Sequence, residues 1–491
     1  MTMVHRVLPP EPVRSLDEHV KRRGGRGLEI AGEVEPEALI DELEAAGLRG
    51  RGGAGFPTHI KWRTVRANAS AVMPSTVVVN GAEGEPGTYK DRTILALDPY
   101  SVIEGALIAA IAVGADRVVF GLKRSFAQVA ERVRDACAEM TAAGWGPGIE
   151  LIVFEGPDEY LYGEETALLE TIDGRHPFPR IAPPYRRGVD EVVETAGDLA
   201  SGSGQSSHVS MAGSDNEVAP PALVDNVETL ANVPRIIARG GHWFRSEGTD
   251  ESPGTIVCTV SGSVQRSGVG EFVMGTPLID VITEISGGAR PERQIVAVLG
   301  GVSNGLIPAA QLDTPLSYEA MAAIGSGLGS AGFVVYDDTD DLVAVVAGVS
   351  RFLAVESCGQ CTPCKQGGLA LSERLDRLSR SAADERDMVA IRERVDTVAD
   401  GARCYLASQH EVVVSSLLSC FPDQVEAHLT GTAPGVEPAL IAELVAITDG
   451  VATVDERHHD KQPDWTYDAT YSGQAPADRL DDLRARQVLD E

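Results

Sequence analysis

The chain has 491 residues, enough for about three domains of ordinary size. Its formal net charge is −31, and a chain this acidic repels nucleic acid, so we expect no nucleic-acid partner. The longest apolar run, Val102–Val113, contains Glu104 and is too short for a membrane span, which predicts no direct membrane insertion. The N-terminal segment lacks the apolar stretch of a secretory signal, so we expect a cytoplasmic protein.

The first half of the chain alternates predicted helices and strands. Apolar periodicity predicts helices at Pro36–Ala46, Phe56–Ala67 (after Pro57), Pro99–Gly114, Ser125–Ala143 and Gly163–Asp173. Runs of β-branched and apolar residues predict strands at Thr76–Asn80, Arg117–Gly121 and Ile149–Glu155. This alternation is typical of an α/β domain with a mostly parallel sheet.

The second half changes its pattern twice. Residues Arg186–Pro221 are polar and rich in Gly and Ser without a clear period, which predicts a long loop or an insertion. A small α+β module follows, with strands predicted at Thr255–Val264, Gln294–Leu299 and Gly332–Tyr336 around a helix at Leu278–Ser286. From Asp341 to about Leu429 the pattern is helical, and the acidic tail after Gly431 contains one more predicted helix at Pro438–Ile447.

Four of the seven cysteines have the spacing of a cluster-binding motif. Three lie in a C-x₂-C-x₂-C run, Cys358, Cys361 and Cys364, and the fourth, Cys404, follows after a gap of 39 residues. A tight loop with three thiolates and one remote cysteine suits a four-iron cluster. Structural zinc more often uses two separated pairs, so zinc and the absence of a metal are the alternatives.

The fourth ligand is less certain from spacing than the first three. Cys420 competes with Cys404, but it directly follows the apolar helical stretch Val412–Leu418. Because free cysteine is often buried in such surroundings, we assign Cys420, Cys137 and Cys258 to the core.

A glycine-rich loop, Gly50–Gly55, fits the pattern G-x-G-x-x-G. A helix precedes it instead of a strand, so it is not an ordinary dinucleotide fingerprint. Its bare backbone amides can still approach a flavin or a phosphate, and Lys61 on the next helix can reach an anion. Taken alone, the loop fits a tight helix–helix turn with a solvated lysine equally well.

Two acidic motifs follow. The segment Asn80–Gly87 comes directly after a predicted strand, where α/β sheets bind ligands, and its carboxylates can accept hydrogen bonds from ribityl or ribose hydroxyls. The second motif, Gly163–Glu165, opens a predicted helix. The alternatives are a solvated turn for the first and carboxylates that only complement the helix dipole for the second.

Together these segments resemble the NADH-binding flavoprotein (51 kDa) subunit of respiratory complex I and the related diaphorase subunits of NAD-dependent hydrogenases and formate dehydrogenases. The matching motifs, in the same order, are Gly50–Trp62, Asn80–Arg92, Tyr160–Leu168, Asp225–Val233 and Glu356–Gly367. The resemblance extends from about Leu39 to Leu429.

The resemblance implies a fold of three parts. An α/β FMN- and NADH-binding domain (39–252, with the loop insertion 186–221) comes first, and a small ubiquitin-like β-grasp module (253–338) follows it. A helical bundle (339–430) then carries a 4Fe-4S cluster. An N-terminal extension (1–38) and the acidic tail (431–491) flank these parts.

The resemblance also implies an activity. NADH would pass a hydride to FMN, and single electrons would leave through the 4Fe-4S cluster to partner subunits, without a catalytic acid–base pair. The expected partners are a thioredoxin-like 2Fe-2S subunit and a larger iron–sulfur subunit, which would also provide any peripheral link to a membrane.

The family's functional residues transfer to matching positions of this chain. The FMN contacts would be Gly50, Gly52, Lys61, Asn80, Glu83, Tyr160, Gly163, Glu164 and Asn226. The NADH contacts would be Phe56, Glu85, Glu165 and Tyr185, with Phe56 as a stacking face. The cluster ligands would be Cys358, Cys361, Cys364 and Cys404.

Several positions depart from the family pattern. Ala82 replaces an aspartate of the family, Tyr162 a cysteine and Asp225 an asparagine. Thr64 replaces an aromatic residue, and Ala182 replaces a basic one. These changes and the insertion favour, as an alternative function, a flavin–cluster relay that no longer binds NAD and exchanges electrons with a ferredoxin-like protein. A non-catalytic scaffold is a third possibility, which the intact Gly50–Lys61 segment opposes.

Overall fold

The computed structural model describes residues 3–69, 74–180 and 221–463. Tyr185, Ala182 and the predicted insertion up to residue 220 lie outside the described residues. The described residues form an α/β part with a parallel sheet, a second sheet of mixed direction and a helical part.

The first sheet has four parallel strands in the order β3-β2-β1-β4. They are β1 Ser75–Gly81, β2 Ala115–Lys123, β3 Glu150–Gly156 and β4 Ala222–Asn226. The helices of this part are α1 Leu16–Lys21, α2 Arg26–Ala31, α3 Pro36–Ala46, α4 Thr58–Asn68, α5 Lys90–Leu97, α6 Pro99–Val113, α7 Ala127–Ala142, α8 Glu165–Ile172, α9 Val227–Arg239 and α10 Gly241–Phe244. The predicted alternation and the parallel sheet are confirmed, whereas the short strand β4 was not predicted.

Helix α6 is the central core element of this part. Its sequence is apolar on every side, and nearly all of its residues are buried. At Gly105 an added Cβ would lie 2.0 Å from the carbonyl oxygen of Leu230, so only glycine allows α9 to cross this closely. In the described part of the chain no single helix is long and apolar enough to cross a membrane; α5 and α6 reach that length and composition only as a pair bent by 98°.

The second sheet has five strands in the order β6-β5-β9-β7-β8, with β5 and β9 parallel and the other neighbours antiparallel. Its elements are β5 Thr255–Gly262, β6 Gly268–Val273, α11 Leu278–Ser286, β7 Ile295–Leu299, β8 Leu306–Pro308, α12 Tyr318–Ala323 and β9 Gly332–Asp337. The predicted strands and helix are confirmed. Strand β6 was missed because Gly268 and Gly270 interrupt its apolar pattern.

Five further helices form the predicted helical region: α13 Leu342–Val355, α14 Gly368–Ser379, α15 Glu385–Val395, α16 Leu406–Cys420 and α17 Pro422–Leu429. Cys137 and Cys258 are buried as predicted. The assignment of Cys420 to the core is wrong, because this last residue of α16 is exposed. The apolar face of α16 turns Val413, Val414 and Leu417 inward instead.

The predicted helix at Pro438–Ile447 is also wrong. Strand β10, Leu444–Thr448, pairs antiparallel with β11, Val451–Val454. Asp449 and Gly450 connect them with φ angles of 51° and 79°. Two left-handed residues in an Asp-Gly pair make the preferred two-residue hairpin turn, which overrides the weak helical spacing of the apolar residues.

The buried imidazole of His410 should make the stability of the protein depend on pH. The ring lies inside the helical part, where Ser350 Oγ is 3.3 Å from Nδ1 and where Nε2 has no hydrogen-bond partner among the described residues. Burial lowers the pKa of His410 to about 3. The unfolded chain therefore binds a proton below about pH 6.5 that the folded chain does not, so stability falls as the pH drops below 6.5.

Between pH 7 and pH 5 the unfolding free energy of the wild type should fall. In His410→Leu we expect this fall to be smaller by about 2 kcal/mol, measured by urea denaturation at both pH values. The matched control is His242→Leu at an exposed histidine, which should keep the wild-type dependence. Equal pH dependence of the wild type and His410→Leu would show that the buried ring does not contribute.

Candidate functional site

One cleft of about 800 Å³ collects the predicted cofactor residues, a size typical of ligand pockets. Every predicted FMN or NADH residue except Tyr185 lines it: Gly50, Gly52, Phe56, Lys61, Asn80, Glu83, Glu85, Tyr160, Gly163, Glu164, Glu165 and Asn226. The walls come from all three parts of the fold, because residues of the second sheet and of α16 line the cleft too. Tyr185 lies outside the described residues.

The glycine loop between α3 and α4 forms one wall of the cleft. Gly55 has φ +63°, and a Cβ there would lie 2.3 Å from the Tyr318 ring. At Gly52 a Cβ would approach that of Asn226 to 3.2 Å. The loop is anchored by Arg51, whose buried guanidinium donates to the carbonyl oxygens of Pro253 and Thr255 at 3.0 and 3.1 Å. The loop is therefore fixed against the second sheet and leaves bare backbone on the cleft side.

Lys61, on the first turn of α4, is held in place at the cleft. Its ammonium pairs with Glu165 and donates to the carbonyl oxygen of Val224 at 2.8 Å. Asp225 Oδ1 lies 3.8 Å away, and Trp62 Nε1 donates to the other oxygen of Asp225 at 2.7 Å. Burial opposes the charge of Lys61, but Glu165 and Asp225 outweigh it and raise the Lys61 pKa. Asp225, which replaces the family's asparagine, thus supplies a second counter-charge.

The acidic loop follows β1, as predicted, and most of its polar groups have partners within the protein. Asn80 Nδ2 donates to the carbonyl oxygen of Gly163 at 2.8 Å, which joins the two acidic motifs. Glu83 accepts from the backbone N–H of Asp91 at 3.0 Å and from Arg92 Nε at 2.8 Å. Glu83 is therefore oriented by hydrogen bonds from Asp91 and Arg92.

Glu85 is the centre of a half-buried hydrogen-bond network across the cleft. Tyr160 Oη donates to Glu85 Oε2 at 2.6 Å, and Ser303 donates to Oε1 through its N–H at 3.0 Å and its hydroxyl at 2.8 Å. Gln409 Nε2 in turn donates to Tyr160 Oη at 3.0 Å. Burial raises the pKa of Glu85, while the hydrogen bonds from Tyr160 and Ser303 counteract part of the rise.

The second acidic motif opens α8. Glu164 is its N-cap and accepts from the backbone N–H groups of Thr166 at 3.0 Å and Ala167 at 2.8 Å. Its carboxylate therefore stabilises the helix terminus and also faces the cleft. Tyr162, which replaces the family's cysteine, is fully buried, and a Cβ at Gly156 would lie 2.2 Å from its ring.

The four predicted cluster ligands line a second, smaller cavity. They are Cys358, Cys361, Cys364 and Cys404. Among the described residues no group of three or more His, Cys, Asp or Glu is placed to hold a single metal ion. In a cubane each thiolate binds a different iron, so four cysteines around one cavity fit a cluster.

The buried surroundings of these cysteines disfavour free thiolates. Burial raises the pKa of the thiols of Cys364 and Cys404 to about 11 and about 12 in the metal-free chain. Sulfur ligates iron as the thiolate, so cluster binding must release protons from these buried groups. Ser357 Oγ lies 3.2 Å from Cys364 Sγ, and Gln360 Nε2 donates to Cys358 Sγ at 3.3 Å. Both contacts can stabilise negative charge on sulfur.

The cleft and the cysteine cavity share a wall. Leu161, Cys404 and Leu406 line both. Of the four predicted cluster ligands, Cys404 alone also lines the cleft. Cys420, its competitor, lines neither cavity.

The structure adds cleft residues that sequence patterns missed. They are Ser303, Asn304, Tyr318, Thr229, Asp91, Tyr405 and Gln409. Ser303, Asn304 and Tyr318 belong to the second sheet's part of the chain, and no local motif marks them. Asp91 lies within the matched motif Asn80–Arg92, so that match is the sequence signal that could have identified it as a cleft residue.

Cluster ligation can be tested by one pair of substitutions. We expect Cys404→Ser to lose the four-iron absorbance and most of the bound iron, because it removes one of four thiolates. Cys420→Ser is the matched control and should retain both. Iron analysis and visible spectra of the anaerobically purified proteins make the comparison. A full cluster in Cys404→Ser, or its loss in Cys420→Ser, would assign the fourth ligand differently.

Two family models match the chain. One describes the Nuo51 FMN-binding domain and matches residues 43–235. The other describes the NADH-ubiquinone oxidoreductase-F iron-sulfur binding region and matches residues 344–428. The first match includes the residues that line the cleft up to Asn226, and the second includes all four predicted cluster ligands.

Similar proteins and structures agree with these matches. The F 2 subunit of NADH-quinone oxidoreductase from Rhizobium meliloti is 34% identical over 416 residues, which cover 83% of this chain and 92% of that protein. The HndC subunit of the NADP-reducing hydrogenase from Solidesulfovibrio fructosivorans is 32% identical over 424 residues, covering 84% of this chain and 81% of that one. The crystal structure of an NAD⁺-reducing NiFe hydrogenase in the H2-reduced state superposes with a TM-score of 0.70 at 30% identity, covering 87% of this chain and 67% of that chain. The chain therefore belongs to the family of the FMN-binding, iron–sulfur F subunits of NADH-quinone oxidoreductase and the related hydrogenase subunits.

Proposed function

We propose that the protein oxidises NADH, or reduces NAD⁺, at FMN in the cleft and relays single electrons through a 4Fe-4S cluster to partner subunits. The wall shared by the cleft and the cysteine cavity is the observation that carries this proposal. The two sites that we assign to the cofactors would therefore be neighbours within one chain, and a relay needs such a short distance between its cofactors.

The chain's own residues would bind and orient the cofactor. The residues proposed to hold FMN are Gly50, Gly52, Lys61, Asn80, Glu83, Tyr160, Gly163, Glu164 and Asn226. When bound, FMN supplies both hydride and one-electron chemistry, which the side chains of the cleft do not. The bare glycine loop allows close approach of a planar ring, and the paired carboxylates hold Lys61 and Arg92 in fixed positions.

The nucleotide would lie against Phe56 at the open side of the cleft. Phe56 lines the cleft and is 49% exposed as a residue, and Glu85 and Glu165 also line the cleft. An exposed aromatic ring on a fixed loop is suited to stack on a base or a nicotinamide ring. Tyr185, the fourth proposed nucleotide contact, lies outside the described residues.

The modular organisation supports a role as one component of a larger assembly. The mixed sheet with α11 packed on it supports a β-grasp module at 253–338 between a flavin domain at 39–252 and a cluster bundle at 339–430. The relatives named above are subunits of oxidoreductases and hydrogenases. We therefore include in the proposal a thioredoxin-like 2Fe-2S partner and a larger iron–sulfur partner, in a cytoplasmic assembly with at most a peripheral membrane link.

Anaerobic mixing of the cofactor-loaded protein with NADH tests the proposal. We expect rapid bleaching of the flavin absorbance. Phe56→Ala should raise the KM for NADH about fivefold, because a stacking contact contributes about 1 kcal/mol, while FMN content stays unchanged. Ile60→Ala, at another exposed apolar side chain of the same region, is the matched control and should behave as wild type.

A flavin that bleaches with dithionite but not with NADH or NADPH would contradict the proposal. It would support the relay that exchanges electrons with a ferredoxin-like protein instead. A chain that binds a cluster but no FMN would support the scaffold hypothesis.

A further inference from the structure

Residues 436–461, here named the C-terminal strap, pack against all three parts of the fold. The strap begins where Val436 N donates to the carbonyl oxygen of Ser379 at 2.8 Å in the helical bundle. The hairpin turn contacts the second sheet's part of the chain, where Ser267 N donates to the carbonyl oxygen of Gly450 at 2.6 Å. The matched iron–sulfur family region ends at residue 428, so the strap lies beyond it.

In the middle of the strap, Glu443 and Leu444 reach the flavin domain. Arg92 Nη1 donates to the carbonyl oxygen of Leu444 at 2.5 Å and lies 3.8 Å from Glu443 Oε1. The same guanidinium donates through Nε to Glu83 at 2.8 Å and through Nη2 to the carbonyl oxygen of Thr88 at 3.0 Å. Arg92 is 4% exposed, and the strap supplies one of the three hydrogen-bond acceptors of this buried cation, the carbonyl oxygen of Leu444, and a nearby counter-charge, Glu443.

The same carboxylate neutralises a second buried cation. Lys123 at the end of β2 is 1% exposed, and its ammonium pairs with Glu443 Oε2 at 2.5 Å. A Cβ at Gly84 would lie 2.5 Å from Lys123 Nζ and 3.7 Å from Glu443 Oε2. The Lys123–Glu443 pair therefore lies directly beneath the backbone of the acidic loop that lines the cleft.

The end of the strap is fastened near the other wall of the cleft. Arg351 donates to the carbonyl oxygens of His458 and Lys461 at 2.9 and 3.1 Å. The His458 ring and the Lys461 ammonium both contact Glu356, at 3.0 and 2.6 Å. Glu356 in turn accepts from the backbone N–H of Tyr160 at 3.1 Å. The strap is thus connected to both walls of the cleft.

We propose that the C-terminal strap clamps the FMN site, and that Glu443 is a positioning residue that acts through Arg92 and Lys123 on the acidic loop. This inference rests on the proposed function, because it concerns the loop proposed to hold FMN. Without the Glu443 carboxylate, two buried cations lose a counter-charge and the loop loses its support. Truncating one partner of a buried charge pair is costly because it leaves the other charge unpaired.

The test compares Glu443→Gln with Glu437→Gln in the full-length, cluster-loaded protein. Glu437 belongs to the same strap but pairs with Arg380 at an exposed position, with 76% of its own side chain accessible. We expect Glu443→Gln to weaken FMN binding about tenfold, measured by the fluorescence of released flavin, and to change the visible circular dichroism of the bound flavin. Glu437→Gln should match the wild type in both, and all three proteins should have the same cluster spectrum.

A second measurement needs no substitution. Because coupling between sites is reciprocal, FMN must stabilise the docked strap as much as the strap stabilises FMN. We expect slower amide hydrogen exchange at residues 443–448 in the FMN-loaded wild type than in the FMN-depleted wild type. This comparison does not require Glu443→Gln to fold.

Equal FMN affinity in the two variants, or equal exchange of the strap with and without FMN, overturns the clamp and leaves the proposed function standing. A wild-type protein that does not bind FMN overturns both. A fluorescence change without the circular dichroism change would show that Glu443 contributes stability without orienting the loop, which also overturns its positioning role.

Discussion

The wall formed by Leu161, Cys404 and Leu406 separates the cofactor cleft from the cysteine cavity, and the rest of the site is arranged around it. Electron transfer weakens steeply with distance, so a relay needs its two cofactors fixed close together. The flavin side of this wall comes from the parallel sheet and its loops, whereas two of its three residues belong to the helical region. The packing between domains therefore sets the functional distance, and each domain alone contains only part of the site.

Buried charge pairs hold these parts in register. Lys90 is fully buried between Asp91 at 2.7 Å and Glu228 at 2.9 Å, and these carboxylates outweigh burial and raise its pKa. Arg92 and Lys123 are paired in the same way behind the acidic loop. A buried charge is tolerated only with partners of good geometry, so each pair specifies one arrangement of the loop it supports. These pairs therefore fix the loops that line the cleft.

Much of this arrangement was predictable because it depends on local patterns. The bounds of α3 and α11 follow from apolar periodicity, and the glycine and cysteine motifs lie within short segments. The partners of those motifs were not predictable in the same way. Ser303 and Gln409 reach Glu85 and Tyr160 through contacts between residues more than 200 positions apart, and no local pattern encodes such a pairing.

The two errors have a common physical origin. At the C-terminus, the apolar residues are spaced as in a helix and predict one. The Asp449-Gly450 pair is a stronger signal, and it predicts the hairpin that forms. At Cys420, an apolar preceding stretch suggested burial, although a helix buries one face and its last residue can lie on the other. In both segments the direction of the side chains, and not their apolar content, determines the structure.

The most direct test of the account is whether electrons from NADH reach the cluster only through the flavin. Electron paramagnetic resonance of the anaerobic protein after NADH addition would report the reduced cluster. The account predicts a cluster signal in the FMN-loaded protein and none in the same protein depleted of FMN. A bleached flavin beside a cluster that stays oxidised, with the cluster still reducible by dithionite, would contradict the claim that this wall connects the two sites.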